Sequence, residues 1–496
     1  FKLTFEQYSV ILVCMAFFFT FLRLHEVKVT EKRVFHIAGF IVVALGCGLF
    51  TNQIILSDFM EEHQINIRMF RPMESYQKYG GVLTFARSVG YAVVKKPEGY
   101  TTAKVDQIIQ EYEKKSANEQ QSTAKQYPNI ITVVNETFAD IKVLGDFKTN
   151  EDYMPYFHSL KKNCVTGYTY ASIVGGQTAN TEFELLTGNT LGFLSAGTTA
   201  FQLYIHGQMP SLVSNLKAEG YSGNKAMHPF NPYNYNRPAV YKDFGFTDFI
   251  DKFDFPKNVK RVREYISDEA NVDRIISEYE KNRKKTDQPF YMYNMTIQNH
   301  SPYDKDAANF KQPIKIESSK YDAEANRYLN LIKYSDDSLK QLTGYFEKCK
   351  EPTIILFLGD HQPRLTDEFM NKITNGQYQT WSSEQMMKRY QVPFVIWANY
   401  DIKEQHIEKT SMNYIQSILT QTAGVKMTGY QRFLNEVRKE VPTITSQGYW
   451  GKNGKFYQIN DKGSPYYGII QKYRMIQYNM MFDKKNRRDS FFEVSK

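Results

Sequence analysis

Apolar and polar positions divide the 496-residue chain into stretches of different period. Tyr8 to Leu24 is an almost unbroken apolar run, and His36 to Leu56 is a second without a formal charge, counting His as neutral. At about 1.5 Å per helical residue each approaches the ~30 Å of a bilayer's hydrocarbon core, and Pro is absent from both. The pair predicts two transmembrane helices within residues 1–57. A cleaved signal peptide fits poorly, because the runs are separate and no small-residue cleavage site follows. Residues 58–127 read as a juxtamembrane connector and an amphipathic helix. Arg68, Arg71, Lys78 and Arg87 stand among aromatics, and Val105, Ile108, Ile109 and Tyr112 follow at helical spacing over 101–116. Ser116 to Gln126 is polar, as a linker is.

From Pro128 the period changes. Asn129-Ile130-Ile131-Thr132-Val133-Val134-Asn135 predicts a strand buried on both faces, and similar runs recur at Phe290–Ile297, Thr353–Leu358 and Pro393–Ala398. Helical stretches lie between them, Val272–Lys281 and Tyr328–Lys348 among them. The alternation predicts a doubly wound α/β domain with a mostly parallel sheet over 128–440, its active groups at the carboxyl ends of the strands. The remaining 441–496 form a C-terminal extension, in which Tyr449–Lys455 resembles a hairpin.

Charge fixes the expected topology. The segment between the apolar runs carries Arg23, Lys28, Lys32 and Arg33, so it faces the cytoplasm and everything after Ser57 lies outside. If the protein starts in the cytoplasm, an odd number of further membrane helices precedes these two. The net charge of +9 is spread along the chain, and no basic-aromatic motif points to nucleic acid. Tyr and Phe number 36 and 35, which suits a surface handling sugar or lipid. Cys14 and Cys47 lie in apolar segments and Cys164 and Cys349 are far apart, which argues against a disulfide framework or a zinc–thiolate site.

Candidate chemistry sits at the predicted strand ends. The first strand runs into Glu136, and another into Asp360-His361. Two carboxylates and an imidazole on one sheet edge suit Mn²⁺, Zn²⁺ or Mg²⁺, the imidazole favouring the first two. Gly175-Gly176-Gln177-Thr178 puts a hydroxyl after two glycines, where a helix begins and an anion is favoured. The following Thr181-Glu182-Phe183-Glu184 also fits a capping box, which would make this only a well-capped helix. With Glu136, Asp360 and His361 beside it, Thr178 becomes a candidate nucleophile for attack on phosphorus, its hydroxyl acidified by the metal.

Asn135-Glu136-Thr137-Phe138, Gly176–Phe183, Asn299-His300-Ser301-Pro302-Tyr303 and Gly359-Asp360-His361 occur in this order, and in that order they resemble the lipoteichoic acid synthases. Members of that family are membrane-anchored phosphoglycerol transferases with an extracellular domain of the alkaline phosphatase/sulfatase fold. The resemblance implies Glu136, Asp360 and His361 as metal ligands, usually for Mn²⁺, and Thr178 as a nucleophile in contact with the metal. It implies His300 as a catalytic contact to the phosphoglycerol, stabilising charge on the phosphate or protonating a leaving group. Met227–Arg237 matches the glycerol-phosphate pocket, with Arg237 placed to bind phosphate bidentately, Tyr235 where the family has Trp, and His228 and Asn236 as further substrate contacts. Phe230 replaces an Asp that helps hold the glycerol, which points toward relatives that decorate cell-wall polysaccharides.

The expected reaction therefore moves glycerol phosphate from phosphatidylglycerol, through a phosphoglycerol-threonine intermediate, to a cell-wall polysaccharide, surface polysaccharide or teichoic acid. The partners are the membrane, its lipid donor and a glycan or polymer acceptor; nucleic acid is not among them. The rivals are a phosphoethanolamine transferase, a phosphodiesterase or sulfatase that transfers to water, and an inactive membrane-tethered sensor of glycerol-phosphate polymers. Cys164 is followed by Val165-Thr166-Gly167, which departs from the Cys-x-Pro-x-Arg pattern of sulfatases.

Overall fold

The computed structural model describes residues 41, 43, 45–52, 72–92, 94–116, 126–195, 197–317 and 322–494. The apolar run Tyr8–Leu24 and the basic segment after it lie outside the described residues, as does most of the polar stretch after Ser116. Of His36–Leu56 only residues 41, 43 and 45–52 are described, and among the described residues no helix is long and apolar enough to cross a membrane. The chain divides into two compact units, residues 1–66 with 76–93, and residues 67–75 with 94–496. In the first, helix Gly81–Ala92 leaves Val82 and Phe85 exposed.

The second unit is built on a sheet of eight strands. In chain order these are β1 (Asn129–Asn135), β2 (Cys164–Tyr170), β3 (Ser222–Met227) and β4 (Asp248–Ile250). A two-stranded hairpin, β5 (Arg261–Val262) and β6 (Tyr265–Ile266), stands apart from the sheet. The sheet continues with β7 (Phe290–Met295), β8 (Thr353–Gly359), β9 (Gln391–Ala398) and β10 (Gln405–Ser411). Their spatial order is β10-β2-β9-β8-β1-β7-β3-β4. All neighbours are parallel except β9, which runs antiparallel to both β8 and β2. The chain leaves β8 at Gly359 and re-enters at Gln391 on the same edge, so it returns against the direction of β8. Gln362 fixes that return, donating from Nε2 to the carbonyls of Lys388 and Gln391, both at 2.8 Å.

Both faces of the sheet are covered, as the unbroken apolar runs predict. Every residue of β1 is buried. Alternation sends Ile130 and Val134 into one core with Ile354, Leu356 and Leu358, and Ile131 and Val133 into the other with Ile355 and Phe357. Helices Thr178–Thr187, Met412–Thr422 and Gly429–Glu440 contribute to the first core, and Asp268–Arg283 and Ala323–Phe346 to the second.

Residues after 441 enter the same fold. Strands β11 (Thr443–Thr445), β12 (Gly448–Trp450) and β13 (Phe456–Tyr457) form a small antiparallel sheet, and β12 and β13 are the arms of the hairpin at Tyr449–Lys455. Helix Tyr467–Met481 buries Ile470, Tyr473 and Ile476 in the core that also takes Val105, Ile108 and Tyr112 of helix Thr102–Ser116. Ion pairs reinforce the contact: Lys472 Nζ to Glu111 at 2.7 Å, and the Arg488 fork to Asp106 at 2.6 and 2.8 Å.

Candidate active site

Adjacent strands deliver the carboxylates and the imidazole. In the pairing of β1 with β8, Asn135 is opposite Gly359, so Glu136 and Asp360 leave the sheet side by side. The crossing is close: a Cβ on Gly359 would lie 1.8 Å from the Phe138 carbonyl oxygen, so only glycine fits. Thr137 turns the chain with φ 55°, donates its N–H to Asp360 Oδ1 at 2.6 Å and its hydroxyl to Glu136 Oε1 at 2.9 Å.

Glu136, Asp360 and His361 are all buried, and each offers a ligand atom within 4.8 Å of the others. His361 Nε2 lies 3.2 Å from Asp360 Oδ2 and 3.8 Å from Glu136 Oε1. The Asp360 Oδ2 and His361 Nε2 atoms are buried and make no hydrogen bond. His361 Nδ1 is 3.0 Å from the Gln362 carbonyl, a contact that requires the proton on Nδ1 and leaves the Nε2 lone pair facing the carboxylates. Burial and the neighbouring Asp360 carboxylate push the Glu136 carboxyl well above its ordinary range. Orphaned acceptors, two crowded carboxylates and an imidazole in the right tautomer fit a divalent cation.

Thr178 is the first residue of helix Thr178–Thr187, with Gln177 as a left-handed N-cap at φ 67°. Gly175 (φ 66°) and Gly176 (φ 139°) make the turn that brings the helix start to the strand ends. The Thr178 hydroxyl is 3.5 Å from Glu136 Oε2. The capping box does not form: Thr181 lies inside the helix and donates to the Asp360 carbonyl at 2.7 Å. Glu184 instead accepts from the hydroxyls of Ser172 and Thr190 and from the Leu191 N–H.

A cavity of about 570 Å³ opens over this floor. Of the residues singled out from the sequence, Glu136, Thr178, His228, Tyr235, Arg237, His300 and His361 line it. Asp360 is fully buried beneath them, and Asn236 is absent from the lining. Asn236 (φ 58°) instead follows Tyr235 (φ 60°) in a left-handed turn that starts helix Arg237–Phe244.

Arg237 is buried and tied to a carboxylate that sequence reasoning had read only as a helix residue. Its Nε and Nη2 donate to Glu182 Oε1 at 3.1 and 2.7 Å, while Nη1 makes only a 3.5 Å contact to the Asn234 carbonyl. The Nη1–Nη2 edge is thus the one left for a phosphate. Glu182 is held in turn by the Tyr241 hydroxyl and by the Tyr293 hydroxyl at 3.1 Å.

Burial disfavours the charged form of both histidines of the wall. His228 Nδ1 is bound to the Met295 carbonyl at 3.0 Å, and burial, aided by the Arg237 charge, holds its pKa well below the usual value. His300 Nδ1 is bound to the Ser301 carbonyl at 2.7 Å, and burial lowers its pKa also. Phe230 stacks on His300 with ring centres 6.1 Å apart and planes at 23°, so an aromatic plate lies where the resemblance implies a carboxylate. Arg364, which the sequence reading passed over, lines the cavity as an exposed cation; its only signal was its place three residues after His361. Cys164 is buried in β2, burial pushes its thiol up to about 12, and it is not part of the cavity.

These features agree with comparison to known proteins. The family model described as Sulfatase matches residues 128–425. The chain belongs to the sulfatase family. A Rhizobium meliloti protein assigned to cyclic beta-1,2-glucan modification is 30% identical over 433 residues, which are 86% of this chain and 65% of that one. The lipoteichoic acid synthase-like YvgJ of Bacillus subtilis is 27% identical over 47% of this chain and 36% of its own length. The chain therefore spans less than two thirds of these relatives. The Streptococcus pyogenes phosphoglycerol transferase GacH, solved with sn-glycerol-1-phosphate, has the same fold with a TM-score of 0.65 at 20% identity, covering 81% of this chain and all of the GacH chain. The likeness to the lipoteichoic acid synthases, first carried by the four motifs, is borne out.

Proposed function

We propose that this chain is part of a membrane-anchored, divalent-metal-dependent phosphoglycerol transferase, moving glycerol phosphate from phosphatidylglycerol to a hydroxyl of a cell-surface glycan. The observation that carries the reading is the Thr178 hydroxyl, 3.5 Å from a carboxylate of a buried Glu–Asp–His cluster on the floor of an open cavity. GacH was solved with a glycerol phosphate, which supports the headgroup. The Rhizobium relative is assigned to glucan modification, which supports a glycan as acceptor. The two apolar runs of the sequence keep the domain outside the cell and beside its lipid donor.

Glu136, Asp360 and His361 would hold the cation, with Mn²⁺ suited to two carboxylates and one imidazole. When bound there it supplies positive charge against the phosphate and lowers the pKa of the nearby hydroxyl. The rest falls to the chain itself. In the donor step a bond forms between Thr178 Oγ1 and phosphorus, and the P–O bond to diacylglycerol breaks. The proton that Thr178 loses is balanced by the one that the diacylglycerol oxygen gains. In the acceptor step the glycan hydroxyl attacks phosphorus and gives its proton to Nε2 of His300, the bond between phosphorus and Thr178 Oγ1 breaks, and the proton returns from His300 to the Thr178 oxygen. Arg237, locked by Glu182, offers its Nη1–Nη2 edge to the phosphate oxygens, where positioning and charge do most of the work of phosphoryl transfer.

The test is intact mass after incubation with phosphatidylglycerol and Mn²⁺. A phosphoglycerol adduct and diacylglycerol are expected with the wild type and neither with Thr178→Ala. Normal diacylglycerol release from Thr178→Ala would sink the threonine mechanism. A phosphoethanolamine adduct from phosphatidylethanolamine in place of phosphoglycerol would replace the donor.

A further inference from the structure

We infer that Arg263 is the positioning residue of His300, clamping the loop that carries the imidazole; this rests on the role given to His300 above. Arg263 is not part of the cavity lining and sits in the turn of the β5–β6 hairpin with φ 56°. Its Nη1 donates to the Pro302 carbonyl at 2.7 Å, and its Nη2 donates to the carbonyls of Gln298 and His300, both at 2.8 Å. The carbonyl of the histidine and those two residues before and after it are thus gathered by one planar group. Among the described residues no carboxylate lies within ion-pair distance of this guanidinium; Nε is buried without a hydrogen bond, and the bonds that Nη1 and Nη2 make go to the loop.

The hairpin is itself held to the task. Asn309 accepts from the Arg263 N–H at 3.1 Å and donates to the carbonyls of Arg261 and Arg263 at 3.1 and 3.0 Å. The next strand of the hairpin supplies Tyr265, whose hydroxyl is 3.4 Å from His300 Nδ1 and whose ring centre is 5.7 Å from that of the imidazole. The loop from Thr296 to Tyr303 has no strand or helix of its own to fix it. Asn299 ties the start of the loop to Asn135 and Ser335, and Gln298 accepts from the Asp268 N–H. Around His300 itself it is Arg263 that holds the backbone, its planar fork meeting three carbonyls at once. A histidine that takes a proton from an acceptor hydroxyl must be placed to within a fraction of an ångström.

A double-mutant cycle tests this in the full chain, in detergent with Mn²⁺, phosphatidylglycerol and a β-1,2-glucan acceptor, reading thermal midpoint and the multiple-turnover rate of diacylglycerol release, which needs the acceptor step to free Thr178 in every cycle. His300→Ala should slow release on the order of 100-fold. Arg263→Met should slow it on the order of tenfold or more, through misplacement. Combined with His300→Ala, Arg263→Met should add nothing, because there is no imidazole left to misplace. Arg263→Lys should fall between Met and wild type, and it carries the cycle if Arg263→Met does not fold. Wild-type rates from Arg263→Met, or an equal loss in both backgrounds, would overturn the positioning role. A silent His300→Ala would instead overturn the role of His300, and the inference with it. Loss of the threonine adduct reading above leaves its own mark, in Thr178→Ala alone.

Discussion

At the scale of single residues the buried pair of Arg237 and Glu182 is the most consequential contact that the sequence concealed. Both side chains are almost wholly excluded from solvent, and the Glu182 carboxylate also collects the hydroxyls of Tyr241 and Tyr293. Removing one member of such a pair leaves a buried charge without a partner. Glu182→Ala should therefore lower unfolding free energy by about 3–5 kcal/mol in urea titration, and should weaken glycerol-phosphate binding because Arg237 loses the contact that aims it. Glu136, Thr178, His300, Asp360 and His361 were legible because each stands in a short local motif. Glu182 and Arg263 were not, since their roles depend on partners brought close only by the fold. The Arg237 partner is 55 positions away. An acidic residue on the buried face of a helix is the one signal that would have found Glu182.

At the scale of elements the site exists because β1 and β8 are parallel neighbours whose ends stop at the same level. Gly359 is the hinge of that arrangement. A methyl group there would meet the Phe138 carbonyl oxygen at 1.8 Å and would press on Val392 at 3.3 Å, so the turn after β1 must move. Gly359→Ala should leave the sheet assembled but pull Glu136 away from Asp360 and His361. Mn²⁺ binding by titration calorimetry should weaken tenfold or more, with turnover lost in proportion. Unchanged Mn²⁺ affinity would show that the strand ends tolerate separation. The interior strands β1, β7 and β8 were readable because burial on both faces gives unbroken apolar runs. β9 was readable as a strand but not in its direction, which is set by the return of the chain along one sheet edge. β2, interrupted by Thr166, Gly167 and Thr169, and the exposed edge strand β10 carry no such run.

At the scale of the whole second unit, the segment after Val441 is a structural part of the fold that holds the site. Composition, rich in Tyr, Gly, Asn and Lys, predicts for this stretch either small added antiparallel strands or a packed extension. Its burial is visible only once helix Tyr467–Met481 is seen against helix Thr102–Ser116, because the two are separated by some 350 residues of sequence. Ile470, Tyr473, Ile476, Met480, Phe491 and Phe492 are each almost fully buried in the larger core. At roughly 1.5–3 kcal/mol for each buried side chain, these six contribute roughly 9–18 kcal/mol as an upper bound. A whole domain is stable by only ~5–15 kcal/mol. A chain ending at Glu440 should therefore fail to fold, appearing in the insoluble fraction or without a cooperative thermal transition, whereas residues 94–494 should melt cooperatively. The failure would come from the core rather than the chemistry, since every proposed metal ligand and Thr178 would still be present. A soluble, cooperatively melting chain ending at Glu440 that still bound Mn²⁺ would reassign 441–496 to a separable role.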